Sequence, residues 1–260
     1  MATTNSVGEE GFRWFIGVVE DRDDPEKQGR VRARIYNVHG NDVEAPTKTL
    51  PWAVVLMPPF SSSLKHVGVS ATGMQVGTTV FGFFMDGNET TLPVIFGVLP
   101  GAGDIPPLAA GRQSINKQPI GIEPPSAFQA KYPYNKVTQT ESGHVIEVDD
   151  TPGAERLHTY HRSGTYTEID HNGQRVNKIV GNDFEIVEKN QKIYIQGNVE
   201  VQVKGNYTLN VDGDIVINGK NVIINKGTKG AARVGDAVTN DDNAGNQPIA
   251  EGSGTVLIGG

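Results

Sequence analysis

Glycine returns every eight residues toward the C-terminal end of this 260-residue chain, at Gly173, Gly181, Gly197, Gly205 and Gly213, with Lys189 standing in the one gap. The blocks between them are strand-like: Gly197-Asn-Val-Glu-Val-Gln-Val-Lys204, Gly205-Asn-Tyr-Thr-Leu-Asn-Val-Asp212 and Gly213-Asp-Ile-Val-Ile-Asn-Gly-Lys220. Self-similarity at a fixed period is the mark of a solenoid. A strand of five or six residues and a tight turn use up eight residues and roughly 26 Å of chain. That is one side of a prism, and one side cannot enclose a core. The simplest closed solution winds several chains around one axis, so the spacing predicts an intertwined, trimeric β-helix over residues 137–220.

Within each octad the fifth and seventh places are apolar: Ile193 and Ile195, Val201 and Val203, Leu209 and Val211. The sixth and eighth are polar or exposed, so the strand alternates with period two and those six residues form the predicted core. Gly181, Gly197, Gly205 and Gly213 fall at the predicted corners, where glycine tolerates a positive φ and the Asn or Asp that follows can bond its own backbone. Phe184 and Ile186 stand in the other phase, which predicts a bulge or register change there. The plainer alternative is a set of ordinary short strands in a sandwich. Ten octads at one strand spacing each, about 4.8 Å, predict a shaft on the order of 50 Å.

The rest of the chain reads as all-β. Five apolar runs at Phe12–Glu20, Arg30–Tyr36, Leu50–Met57, Thr78–Met85 and Pro93–Leu99 suggest a small β-barrel of the OB type over residues 12–100, after a flexible stretch at 1–11. Residues 101–136 carry Pro106, Pro107, Pro119, Pro124, Pro125 and Pro133 with little apolar pattern and read as a linker. Residues 221–260 change character and end on the apolar Val256, Leu257 and Ile258, a candidate docking point for a separate tip protein. The N-terminus has no basic region followed by an apolar run, and no stretch approaches the roughly 20 apolar residues of a membrane helix. There is no cysteine, hence no thiolate metal site, and a net charge of -7 argues against a general nucleic-acid binder.

Two stretches together resemble a known family. Trp14-Phe-Ile-Gly-Val-Val-Glu-Asp-Arg-Asp-Asp-Pro25, followed by Gly29-Arg-Val-Arg-Ala-Arg34 and Leu50-Pro-Trp52, is similar to the N-terminal OB domain of the central spike proteins of T-even-like contractile phage tails. Glu141-Ser-Gly-His-Val-Ile-Glu-Val-Asp-Asp-Thr-Pro-Gly-Ala-Glu-Arg156, then His161-Arg-Ser-Gly-Thr-Tyr166, resembles the neck of the triple-stranded β-helix in those spikes and in the VgrG proteins of type VI secretion. The resemblance implies a homotrimer on a virion tail baseplate, made in the host cytoplasm. Its OB domain would sit under a separate hub polypeptide, and its β-helix would make transient contact with the target membrane as it pierces the envelope. Those spikes carry a lysozyme domain between the two modules. Here the 36-residue linker is far too short for one, so no enzyme activity is expected. A carrier role, with a PAAR-like tip protein or an effector at the C-terminus, is the alternative. A polysaccharide-degrading β-helix enzyme is a third reading, against which the octad is too narrow for a cleft.

Candidate chemistry is sparse. Glu141, Glu147, Asp149 and Asp150 cluster at the neck, and Glu147 and Asp149 share a strand face, as a glycosidase pair would require; they also read as solvated or turn-forming acids around Asp150-Thr-Pro-Gly153. His158, His161 and His171 suggest a metal site, but residues three apart on a strand point to opposite faces. Asp236, Asp241 and Asp242 would suit only a hard cation. Arg30, Arg32 and Arg34 line one strand face, where OB-folds bind nucleic acid, yet Asp21, Asp23, Asp24 and Glu26 lie beside them. No catalytic residue, cofactor, metal ligand or nucleic-acid partner is therefore expected.

Overall fold

The computed structural model describes residues 12–101 and 123–220, with the short antiparallel pair Ala237–Val238 and Gln247–Pro248. Val256, Leu257, Ile258, Asp236, Asp241 and Asp242 lie outside the described residues. Among the described residues there is no α-helix. The chain divides into two compact units, Met1–Ile186 and Val187–Gly260.

The first unit opens with five strands, β1 (Arg13–Asp21), β2 (Val31–Ile35), β3 (Trp52–Val55), β4 (Thr79–Phe84) and β5 (Pro93–Val98), one on each of the five apolar runs, with β1 running one residue past its run. They close into a barrel in the order β1-β2-β3-β5-β4, with β3 and β5 parallel and the other pairs antiparallel. The period of two sends Val31, Ala33 and Ile35 inward on β2, and Val80 and Phe84 on β4. These pack with Phe15, Val19, Ala53 and Ile95 as one core. Gly82 is the inward residue between Val80 and Phe84. A Cβ there would meet the Phe15 ring and the Val94 carbonyl, so the missing side chain makes room for Phe15 to lie against Phe84, centroids 4.9 Å apart.

The second part of this unit differs from the expected prism. β6 (Asn135–Gln139), β7 (Val145–Asp149), β8 (Arg156–Tyr160), β9 (Tyr166–Ile169) and β10 (Arg175–Lys178) form an up-and-down antiparallel sheet within the one chain. Residues 137–178 are therefore not octads. The reason lies in the turns: Gly143, Gly153, Gly164 and Gly173 all take a positive φ, between +75° and +96°, and reverse the strands into hairpins. Gly173, the first member of the eight-residue glycine series, is thus a hairpin glycine. These are ordinary short strands, as in the plainer alternative, but paired in one sheet and not set in a sandwich.

From residue 180 onward the pattern changes again. Bends fall at 180–181, 188–189, 196–197, 204–205 and 212–213, a strict eight-residue rhythm that continues through Lys189. The backbone between bends makes no strand pairing within the chain among the described residues.

Candidate assembly surfaces

The octads carry their apolar residues uncovered. Ile193, Val201 and Leu209 are 74%, 70% and 56% exposed, and Ile195, Val203 and Val211 are 50%, 47% and 47% exposed. No residue from 181 to 220 is buried. The predicted core residues are thus not brought into a core by this chain alone. Phe184 and Ile186, in the other phase, are exposed as well. The expected positive φ at Gly181, Gly197, Gly205 and Gly213 is not found, and a Cβ at each would meet nothing within 4 Å. A bend of this kind is open to an L-residue, and Lys189 occupies one.

The five-stranded sheet has its polar side covered. Alternation on β7 turns Glu147 and Asp149 to one face and Ile146 and Val148 to the other. Glu147, Arg156, His158 and Glu168 sit on the covered face and are almost wholly buried. Arg156 Nη2 donates to Glu147 at 2.6 Å and Nη1 to Glu168 at 2.7 Å, while Asn135 Nδ2 donates to Glu147 at 2.8 Å. His158 Nδ1 lies 3.5 Å from the Glu147 carboxylate. The cover is the segment that precedes β6. There Ser126 Oγ and the Ala127 N–H donate to Glu168 at 2.8 and 3.0 Å, and the Phe128 ring lies 4.9 Å beneath the Arg156 guanidinium. Glu123 accepts from Tyr166 Oη at 2.6 Å and from Lys178 Nζ at 2.8 Å. Burial, then this hydrogen bond, push the Tyr166 hydroxyl well above the usual phenol range.

The opposite face is open. Cross-strand register sets Val148, Leu157 and Ile169 in one row, with Ile146 in the next. Ile146 is 60% and Leu157 51% exposed. The sheet is inside-out for an isolated chain, with charge beneath its cover and aliphatic side chains toward water.

The neck carboxylates are engaged by neighbouring groups of the same chain. Glu147 and Asp149 are buried, which corrects the solvated reading, while Asp149 keeps the turn-forming one. Glu147 is held by Arg156 and Asn135, and Asp149 accepts the Thr151 N–H at 2.9 Å, shaping the turn that begins at Asp150. Glu141 pairs with Arg22 at 2.6 Å and Asp150 with Lys136 at 2.6 Å. His158 is buried on β8. His161 follows that strand, exposed against His144 with ring centroids 4.4 Å apart, and His171 lies in the next turn. Among the described residues no group of three His, Cys, Asp or Glu is placed to hold a metal ion.

Arg30, Arg32 and Arg34 do share the outer face of β2, and acids of the same chain engage them. Asp24 pairs with Arg30 at 2.7 Å and Glu20 with Arg34 at 2.5 Å, while Asp21 lies 4.0 Å from Arg32. Asp24 also accepts the backbone N–H groups of Glu26, Gln28 and Arg30. The Arg30 guanidinium, helped by those amides, holds the Asp24 carboxyl far below the usual range.

The rest of the barrel wall is apolar, a feature that reading the strands one at a time does not reveal. Trp14 and Ile16 on β1, Phe81 and Phe83 on β4 and Phe96 on β5 all point outward. Trp14 stacks on Phe81 with centroids 5.3 Å apart, Phe12 and Phe83 meet Trp14 at 5.7 and 5.6 Å, and Phe96 meets Phe81 edge-on at 6.4 Å. The signal was present in Trp14-Phe-Ile and Phe81-Gly-Phe-Phe84. It takes the β1–β4–β5 pairing to join the two.

Comparison with known proteins accords with this geometry. Residues 35–155 match the family described as the Gp5 N-terminal OB domain, from the end of β2 to the turn before β8. Protein Gp5 of Vibrio phage KVP40 is 33% identical over 266 aligned residues, which take in 74% of this chain. The chain is a relative of the Gp5 central spike proteins. Pre-baseplate central spike protein Gp5 of Enterobacteria phage T4 is 44% identical over 81 residues, covering 29% of this chain. The chain spans 63% of the length of the Vibrio phage Gp5 and 14% of the T4 Gp5.

Proposed function

We propose that this chain is a structural subunit of a phage tail baseplate, a central spike that assembles as a homotrimer and pierces the target envelope without lysozyme activity of its own. The observation that carries the reading is the octad segment: bends at strict eight-residue intervals, with Ile193, Ile195, Val201, Val203, Leu209 and Val211 uncovered. Fully burying each such side chain is worth about 1.5–3 kcal/mol. A segment that leaves all of them in water has no reason to hold one conformation alone. Three copies around an axis bury them together. The open face of the sheet, with Ile146, Val148, Leu157 and Ile169, supports the same reading, because it too needs a partner surface. The kinship with central spike proteins supports the baseplate setting, and a separate hub polypeptide at the OB domain follows from that setting.

Light scattering after gel filtration tests the assembly: the expected mass is about three times 27.9 kDa. A folded monomer would sink the spike reading. Incubation of the purified assembly with peptidoglycan tests the absence of lysozyme. No soluble fragments are expected, and release abolished by Glu147→Gln would make the chain an enzyme.

A further inference from the structure

Between β3 and β4 the chain makes a long excursion that ends in a small finger. Leu64 and Val67 exchange both backbone hydrogen bonds, N to O at 3.3 Å and 2.9 Å. The two residues between them, Lys65 and His66, both take a positive φ, +50° and +66°. That is the geometry of a type I′ hairpin turn, normally given to Asn-Gly because other L-residues strain there. The Ser61 hydroxyl accepts the Val69 N–H at 2.9 Å and ties the base. The finger thus presents a tip of Lys65 and His66 flanked by Phe60, Leu64, Val67 and Val69, each at least 60% exposed. Among the described residues nothing covers it.

The same domain therefore carries two uncovered apolar surfaces of unlike shape. One is this aliphatic finger with a basic tip. The other is the aromatic wall of Trp14, Phe81, Phe83 and Phe96. A contact repeated around a threefold axis joins two different patches, because each copy offers one patch to the neighbour on its left and the other to the neighbour on its right. Wall against wall would make twofold pairs, which a trimer cannot use. The outer face at β2 carries Arg30, Arg32 and Arg34 with their acids and offers no apolar counterpart.

We propose that the finger of one copy docks on the aromatic wall of the next copy, closing the OB domains into a ring. The chemistry matches: aliphatic side chains cover the ring faces, and the Lys65 ammonium finds the negative π faces of Trp14 and Phe81. The exchange also accounts for the strained turn, since a tip that must fit a partner is a place where strain is tolerated. This inference rests on the trimer reading above.

The test uses the full chain with a benzophenone amino acid at Leu64, a site exposed enough to leave the fold undisturbed. Assemblies are mixed from light and isotope-labelled chains, illuminated and mapped by mass spectrometry. The expected links are between chains, from position 64 to peptides of β1, β4 or β5. The reciprocal placement at Phe96 is expected to link to residues 60–69 of another chain. If the mass is that of a trimer and position 64 links only within its own chain, or to other regions, the ring contact is wrong and the trimer stands. If the mass is that of a monomer, both readings fail. Links to a different polypeptide in whole tails, with none between copies, would assign the finger to another subunit and overturn the proposal.

Discussion

Arg156 shows how one residue organises an element. Its guanidinium serves two carboxylates, Glu147 and Glu168, on a face almost closed to solvent. Removing one member of a buried ion set leaves the rest uncompensated, which costs about 3–5 kcal/mol. Arg156→Met is expected to lower stability by that amount, read from urea unfolding of the assembled protein. Replacing Glu147, Arg156 and Glu168 together with apolar residues of similar volume should cost far less. Asp24 works at the same scale in the barrel. Its carboxyl, and that of Glu20 beside Arg34, titrate below their ordinary values in the folded chain. Their contribution is complete above the unfolded carboxylate value, about 3.9–4.3, and is lost as pH falls through the depressed folded values. The thermal midpoint should therefore drop as pH is lowered from about 5 to about 2. Asp24→Asn should lower the midpoint at pH 7 and flatten that drop; an unchanged acid limb would remove Asp24 from the account.

Elements were legible where one local rule decided them. The barrel strands could be read because Val31, Ala33 and Ile35 alternate with Arg30, Arg32 and Arg34, so pattern and burial agree. The sheet of β6 to β10 was hidden because pattern and burial oppose each other. Ile146 and Val148 look like the inward side of β7, yet Glu147 and Asp149 face the cover, drawn there by Arg156, Asn135 and Thr151 from outside the strand. No window of strand length contains all those partners. The octads were legible as a period, but the reason given for the glycines was incomplete. The bend at Lys189 and the ordinary φ at Gly205 show that the turn itself does not require glycine. Gly205→Lys is accordingly expected to leave assembly mass unchanged and the midpoint within a few degrees, as judged by light scattering and melting. Val203→Asp is the contrasting case. Three carboxylates gathered in an apolar axis would each lack a partner, a burial penalty of several kcal/mol per ion, and the assembly should fail to form or melt far earlier. An unchanged melting curve for that variant would take Val203 out of the axis.

At the scale of the whole molecule, the features left unsatisfied in one chain all call for neighbours: the octad apolar positions, the aliphatic face of the sheet and the aromatic wall of the barrel. Among the described residues, burial is complete only in the barrel core and under the cover of the sheet. If the proposed trimer is what covers those unsatisfied features, dilution is expected to expose the chain to protease. Limited proteolysis at falling concentration should cut residues 181–220 before the barrel; equal resistance at all concentrations would mean that the segment is stable without partners. The bends carry one further consequence. Their spacing is kept by residue count and not by any one side chain, and five octads from 181 to 220 correspond to about 24 Å of axis at one strand spacing each, half the length that ten octads would give. Length along this segment is therefore a quantised trait. Eight codons can be added or lost while every remaining bend keeps its place and every strand keeps its facing, whereas a change of seven or nine would turn each later side chain to the wrong side. The rhythm is a ruler marked in steps of one strand.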